Sequence, residues 1–357
     1  MQLNMIRPIQ FTLLLCFRRE GTCYYTTVGG KCVKFNSRNL AYNDTEVYWK
    51  EYQRFFPEEL RINESNLPTE EWWNWNDCSI HLDRMSVLES KIKVILIHGA
   101  GGNGRLLAPY ARMLQLNGYD VVSPDLPPYG LSYTESLSSM DYRDWINIIK
   151  DFMEQEFKRD GKQIVLLGAS IGGMLAYHAA SMSEQVKGLI VTTFVDTSNQ
   201  NVRDQIAPNK LISRLGKFAM DSLPFALDSF RIPVSKVSRM KLITNNFELT
   251  RLIMNDPRAA GTKIPLRFLR TFLNMKTIIE PESFDVCPIL LIHPEVDPMT
   301  PFNLSESFYN RLTCKKRCVI LEGAGHFPIE QPGIEQMKTA VLDFLIEIEN
   351  NVESKKD

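Results

Sequence analysis

The chain has 357 residues, 44% of them apolar and 23% charged, so a wholly disordered, collagenous or coiled-coil protein is excluded. Lys and Arg number 41 and Asp and Glu 42, which leaves no overall basic field for nucleic acid. No apolar run approaches the roughly 20 residues that span a bilayer.

Residues 9–19 hold a short apolar stretch between Arg7 and Arg18-Arg19, read as a first strand or a loose lead-in. A signal peptide needs a longer apolar core and a small-residue cleavage site. The seven Cys include no CxxC pair, and Cys314 and Cys318 have no His nearby. Reduced thiols in a cytoplasmic protein are therefore expected, with no metal site, and membrane association through residues 9–19 and the Trp-rich stretch is the alternative.

Tyr24–Val28 and Lys31–Phe35 flank Gly29-Gly30, a two-residue hairpin signal. Residues 36–77 are polar and aromatic and hold four of the five Trp, a density that favours packing over a ligand cage. Residues 1–85 are read as an N-terminal extension packed on the core. Beyond Ser79–Met85, itself strand-like, strand and helix alternate. Lys93–His98, Tyr119–Ser123, Ile164–Leu167 and Leu189–Thr193 read as strands, mostly short apolar runs of the buried parallel kind. Leu106, Leu107, Tyr110 and Leu114 share one helix face ended by Gly118, and residues 140–157 form a second helix. Residues 197–282 read as helices only, over Leu211–Phe218, Val237–Thr244, Phe247–Met254 and Leu266–Thr277. Strands return at Pro288–Ile292 and Arg317–Leu321, a last helix carries Ile334 to Ile348, and residues 349–357 are a charged tail. The fold class is thus α/β, a mostly parallel sheet flanked by helices (residues 86–196 and 283–348), interrupted by a helical cap. Ligands bind such sheets at the C-terminal ends of the strands.

Gly168-Ala169-Ser170-Ile171-Gly172 follows an apolar strand and opens a helix, the context that makes G-x-S-x-G a nucleophile elbow. Gly168 and Gly172 remove Cβ atoms where the sharp turn crowds them, and Ser170 stands at its tip. His98-Gly99-Ala100-Gly101-Gly102 ends another strand. Its backbone suits an oxyanion hole, assigned to the N–H groups of Ala100 and Ile171. Gly99, Gly101 and Gly104 also fit a dinucleotide turn with Asp125 about 20 residues on, but that rival explains neither Ser170 nor a late His. A supporting role in the loop is assigned to His98 and a turn-capping role to Asp125. Of five His, only His326 lies late, in the small-residue loop Gly323-Ala324-Gly325-His326, and it is the expected base. Asp297, with Glu295 as local rival, is the expected acid. The chain order Ser170, Asp297, His326 matches Ser…Asp…His.

Taken together, H-G-x-G-G, G-x-S-x-G, V-D-x-x-x-P and G-x-G-H resemble the α/β-hydrolase superfamily over residues 86–348. The likeness is to serine hydrolases of the lysophospholipase, monoacylglycerol lipase and carboxylesterase kind. Pro128 departs from the D-x-x-G-x-G-x-S loop of that family by replacing its first Gly. The resemblance implies an ester hydrolase working through an acyl-enzyme with no cofactor. Its partner is a small-molecule ester or lipid-like substrate, and the apolar cap favours an apolar acyl group. A thioesterase, an amide, peptide or C–C hydrolase with the same triad, and a non-catalytic receptor on this fold remain alternatives.

Overall fold

The computed structural model describes residues 24–28, 31–35, 40–45 and 48–353. The expected reading of residues 9–19 lies outside them. Strands β1 (Tyr24–Val28) and β2 (Lys31–Phe35) pair antiparallel with Val28 opposite Lys31, as the hairpin signal requires. A second, larger compact unit begins at Glu46.

Its strands, in chain order, are β3 (Thr69–Trp75), β4 (Cys78–Met85), β5 (Ile92–Ile97), β6 (Asp120–Pro124), β7 (Tyr133–Thr134), β8 (Gln163–Gly168) and β9 (Val186–Val191). After these come β10 (Arg231–Pro233), β11 (Lys263–Pro265), β12 (Ile289–Pro294) and β13 (Lys316–Leu321). The central sheet runs β13-β12-β9-β8-β5-β6-β4-β3, with β7 also paired to β4. All pairs from β6 to β13 are parallel, and β3, β4 and β7 add antiparallel pairings at the other edge. Strands β5 and β12 are buried along their whole length, which is why they read as unbroken apolar runs.

Two expectations are corrected. The sheet begins at Thr69, inside the segment read as an extension ending at residue 85. Trp72, Trp73 and Trp75 disguise β3 because none of its residues is fully buried, so no apolar run forms. Trp73 packs on Phe152 and Trp75 Nε1 donates to Asp151 at 2.7 Å, so these rings hold the strand onto a core helix. Second, residues 197–282 are not purely helical. Strands β10 and β11 form an antiparallel ribbon with Ile232 opposite Ile264. Three residues with one inward side chain are too few to show a period of two. The expected helix over Val237–Thr244 is replaced by one turn at Val234–Val237 and a 3-10 turn at Met240–Leu242.

The helix Tyr142–Asp160 begins with a capping box between Asp141 and Asp144 and stops at Gly161, whose φ is 72°. Its buried face, with Trp145, Ile149 and Phe152, meets the helix Ile171–Ala180 on one side of the sheet. That second helix is buried on every residue, so burial fixes the turn that precedes it.

Candidate active site

Ser170 sits between the end of β8 and the helix Ile171–Ala180 with φ 56° and ψ −128°. A non-glycine residue there is strained and persists only where its surroundings hold it. They do so closely. A Cβ on Gly168 would stand 2.2 Å from the Gly172 oxygen, and one on Gly172 would stand 2.4 Å from the Ile97 oxygen. The Ser170 N–H donates to Thr192 Oγ at 2.9 Å, tying the turn to the residue that follows the neighbouring strand β9. Sequence reasoning missed Thr192, because its partner is 22 residues away with no local signature.

Asp297 and His326 lie in the loops after β12 and β13, adjacent parallel strands, and the sheet delivers them to each other. His326 Nδ1 is 2.8 Å from Asp297 Oδ2. The other oxygen, Oδ1, accepts from the N–H of Met299 and of Thr300, both at 2.9 Å. The Thr300 hydroxyl donates to Oδ2 at 2.7 Å and is 3.1 Å from His326 Nδ1. Asp297 therefore accepts four hydrogen bonds. Burial alone would raise its carboxyl, but the His326 charge and hydrogen bond, with those from Thr300, outweigh it and hold the group well below the usual carboxylate range. Thr300 was also missed, although an Asp followed three residues later by Thr is a readable local turn signature. Glu295 is exposed and accepts instead from the Gly323 N–H at 2.9 Å, capping the turn that opens the His loop.

Gly99 crosses directly over Ser170. A Cβ there would lie 2.8 Å from Ser170 Cβ and 3.4 Å from the Ile171 nitrogen. Ile171 is the first residue of its helix, so its N–H has no intrahelical acceptor. Ala100, Ser170 and Ile171 face one cavity together. His98 lies behind the loop, with Nε2 accepting from the Leu126 N–H and Nδ1 beside the Gly99 oxygen, both at 2.8 Å. Since the Leu126 N–H can only donate, the His98 proton resides on Nδ1 and the ring is neutral. Burial pushes its pKa down accordingly.

Asp125 lies outside this group. It accepts from the N–H of Gly104 at 2.7 Å and of Leu131 at 2.8 Å, capping both loops. Its carboxylate also faces His81, whose Nε2 is 2.8 Å from Glu70. Burial would lower the His81 pKa, but Asp125 and Glu70 on either side raise it to about 9. His178 and His293 are buried with their pKa lowered to about 4, by burial above all.

Above Ser170 lies a cavity of about 450 Å³. Its far wall comes from residues 197–282, including Ile206, Met220, Ile232, Phe268 and Phe272. Among the residues lining it, Arg203, Lys217 and Lys236 carry charge, and no carboxylate appears. Two contacts from residues 197–282 reach the loops that carry Asp297 and His326. Arg239 Nη1 donates to the Pro298 oxygen at 3.3 Å, and the Phe327 N–H donates to the Ile243 oxygen at 3.2 Å.

A mostly parallel sheet with Ser170 at a strained strand-to-helix turn, and with Asp297 beside His326 on the loops after β12 and β13, is the arrangement of an α/β-hydrolase of the serine hydrolase kind. Residues 89–331 match the family described as serine aminopeptidase, S33 (Hydrolase_4), and the chain belongs to that family and is a hydrolase. A comparison with curated protein sequences gave no match. Among solved structures, a soluble variant of monoglyceride lipase from Saccharomyces cerevisiae, in complex with a substrate analog, is similar at 18% identity and TM-score 0.64. That match covers 82% of this chain and 98% of the other. The monoacylglycerol lipase of Paleococcus ferrophilus is similar at 19% identity and TM-score 0.61, over 75% of this chain and 99% of the other. Carboxylesterase CesB of Bacillus subtilis is similar at 17% identity and TM-score 0.52, over 84% of this chain and 95% of the other. At such identities the likeness is one of fold. No helix among the described residues is long and apolar enough to cross a membrane.

Proposed function

We propose that this hydrolase cleaves a carboxylic ester with an apolar acyl group, with Ser170 as nucleophile, His326 as base and Asp297 as the acid that orients it. Asp297 Oδ2 accepts a hydrogen bond from the Nδ1–H of His326, which leaves Nε2 free to accept the proton of Ser170. The Ser170 oxygen then attacks the ester carbonyl, and the charge that develops on the carbonyl oxygen is held by the N–H groups of Ala100 and Ile171. His326 returns the proton to the leaving alcohol. Water, activated by the same His326, releases the acid from the acyl-enzyme.

The observation that carries the substrate class is the cavity: apolar in most of its wall, opening on Ser170, with no carboxylate among the residues lining it. A site for the free amino end of a peptide needs an acidic partner for the ammonium. Its lack on that wall favours an acyl chain over the aminopeptidase substrate that the family description names. The solved lipases and carboxylesterase of similar fold support the same choice. The experiment is a chain-length series of p-nitrophenyl esters, beside Ser170→Ala and a fluorophosphonate label. Each methylene that enters the cavity is worth about 0.8 kcal/mol, so kcat/KM should rise about fourfold per methylene. A preference for acetyl over longer chains would refute the substrate class. Ser170→Ala that keeps more than a few per cent of the rate, or a wild-type serine that resists the label, would refute the mechanism.

A further inference from the structure

The helix Lys210–Ser222 forms part of the cavity wall, yet only Ser213 and Met220 on it are buried. Ile212, Gly216, Ala219 and Met220 face the cavity. Leu211, Leu215 and Phe218 lie at the spacing of a second stripe, are not part of the cavity wall, and are each more than half exposed, Phe218 at 71%. Leu223 and Phe230, which follow the helix, are equally exposed. With Ile212, which is part exposed and part cavity wall, six of the fifteen large apolar side chains exposed among the described residues fall within residues 211–230. Scattered exposed apolar residues need no explanation, but a concentration of this kind marks an interaction surface.

Charge says what that surface meets. Residues 197–282 hold fourteen Lys and Arg but only seven Asp and Glu, although the whole chain is balanced at 41 and 42. The acids of the cap are already engaged. Asp204 pairs with Arg214, Asp221 with Lys217, Asp228 with Arg270, Glu248 with Arg54, and Glu280 and Glu282 with Arg311. Asp256 accepts from the Tyr52 hydroxyl. Lys210, on the helix itself, and Arg231 and Lys263, on the β10–β11 ribbon, are not part of the cavity wall and have no carboxylate partner among the described residues. An apolar stripe on a basic helix is the pattern of an element that lies in the plane of a membrane interface. A partner protein of ordinary surface would leave these cations without counter-charge, whereas anionic headgroups supply it.

We propose that the outer face of the Lys210–Ser222 helix, with Leu223 and Phe230, seats this protein on an anionic lipid surface. The same helix is the wall of the Ser170 cavity, so docking brings the bilayer to where acyl chains enter. The apolar side chains enter the boundary between headgroups and acyl chains, and the three cations remain at the phosphates. The link to substrate entry rests on the function proposed above; the docking itself does not.

The test uses the full chain carrying Ser170→Ala, so that binding is read without turnover. Co-sedimentation is measured with phosphatidylcholine vesicles with and without phosphatidylserine. The protein should prefer the anionic vesicles, and salt should weaken its binding. Leu215→Ser with Phe218→Ser should weaken it at least tenfold, since each removes apolar burial at the interface. Lys210→Glu should lower affinity for the anionic vesicles about fivefold or more. In the Ser170 background the same substitutions should leave hydrolysis of a short water-soluble ester and the melting temperature unchanged, which shows that the fold is intact. Equal binding to both vesicle types, or unchanged affinity of the Leu215/Phe218 variant, would overturn the proposal. So would a dimer in solution that this variant converts to a monomer, because the face would then join two copies of the chain. Failure of ester hydrolysis would remove the proposed function and leave the binding result standing.

Discussion

Replacing Asp297 with Asn exchanges one oxygen for an NH2 group at almost no steric cost, and the surrounding bonds determine which oxygen is lost. Oδ1 accepts from two backbone N–H groups that cannot turn away, so the amide oxygen must stay on Met299 and Thr300. The NH2 group then replaces Oδ2, 2.8 Å from His326 Nδ1 and 2.7 Å from the Thr300 hydroxyl. The hydroxyl can rotate and accept. The imidazole cannot, unless its proton moves to Nε2, and a ring protonated there no longer accepts the proton of Ser170. A wrong tautomer of this kind costs a serine hydrolase about 10⁴ in kcat, or about 5.4 kcal/mol of transition-state stabilisation. The loss to folding is smaller, because all four hydrogen bonds are kept and only the charge assistance is lost, and a hydrogen bond to a charged group is worth about 1.5–3 kcal/mol in all. The assay is kcat/KM on a p-nitrophenyl ester, with the melting temperature as folding control. A folded Asp297→Asn protein that keeps more than about a tenth of the wild-type kcat/KM would refute the assignment of acid and base.

Two further outcomes follow from groups away from the reacting atoms. The His81 imidazolium lies between Glu70 and Asp125 and holds its proton to about pH 9, against an ordinary value of 6.5. Because the folded value is the higher one, its stabilising contribution is complete below about pH 6.5 and fades as the pH rises through about 9. The melting temperature should fall across that window in the wild type and less steeply in His81→Gln; parallel profiles would exclude His81 as the cause. In Gly172→Ala the new methyl group would meet two carbonyl oxygens, of Ile97 at 2.4 Å and of His98 at 2.9 Å, both backbone. Overpacking of this kind costs about 1–3 kcal/mol or more, and the shift moves the Ser170 turn. Thermal melts and ester hydrolysis should both fall, and a variant normal in both would show that the elbow has slack.

Much of this protein is readable in one dimension. The strands around Ser170 are apolar runs because helices cover both faces of the sheet, and that pattern follows from burial alone. The glycines on either side of Ser170 are equally local. What escaped has a common cause. Strand β3 carries its tryptophans half-buried at the sheet edge, where no run or clean alternation survives. The β10–β11 ribbon joins two tripeptides about thirty residues apart, each too short to have a period. Thr192 holds the Ser170 turn from just past the neighbouring strand β9, and no residue near either one announces the contact.

The choice between Asp297 and Glu295 shows the boundary most closely. The two carboxylates stand two residues apart in one loop, and composition treats them alike. Only the parallel pairing of β12 with β13 brings one of them to His326 and sends the other to the Gly323 turn. The chain determines by itself which segments bury themselves and where the turns fall, because burial and backbone sterics act over a few residues. Which side chains meet, what shape the cavity takes and which helix face is left to solvent are decided by the tertiary structure, because those depend on partners far away in the chain.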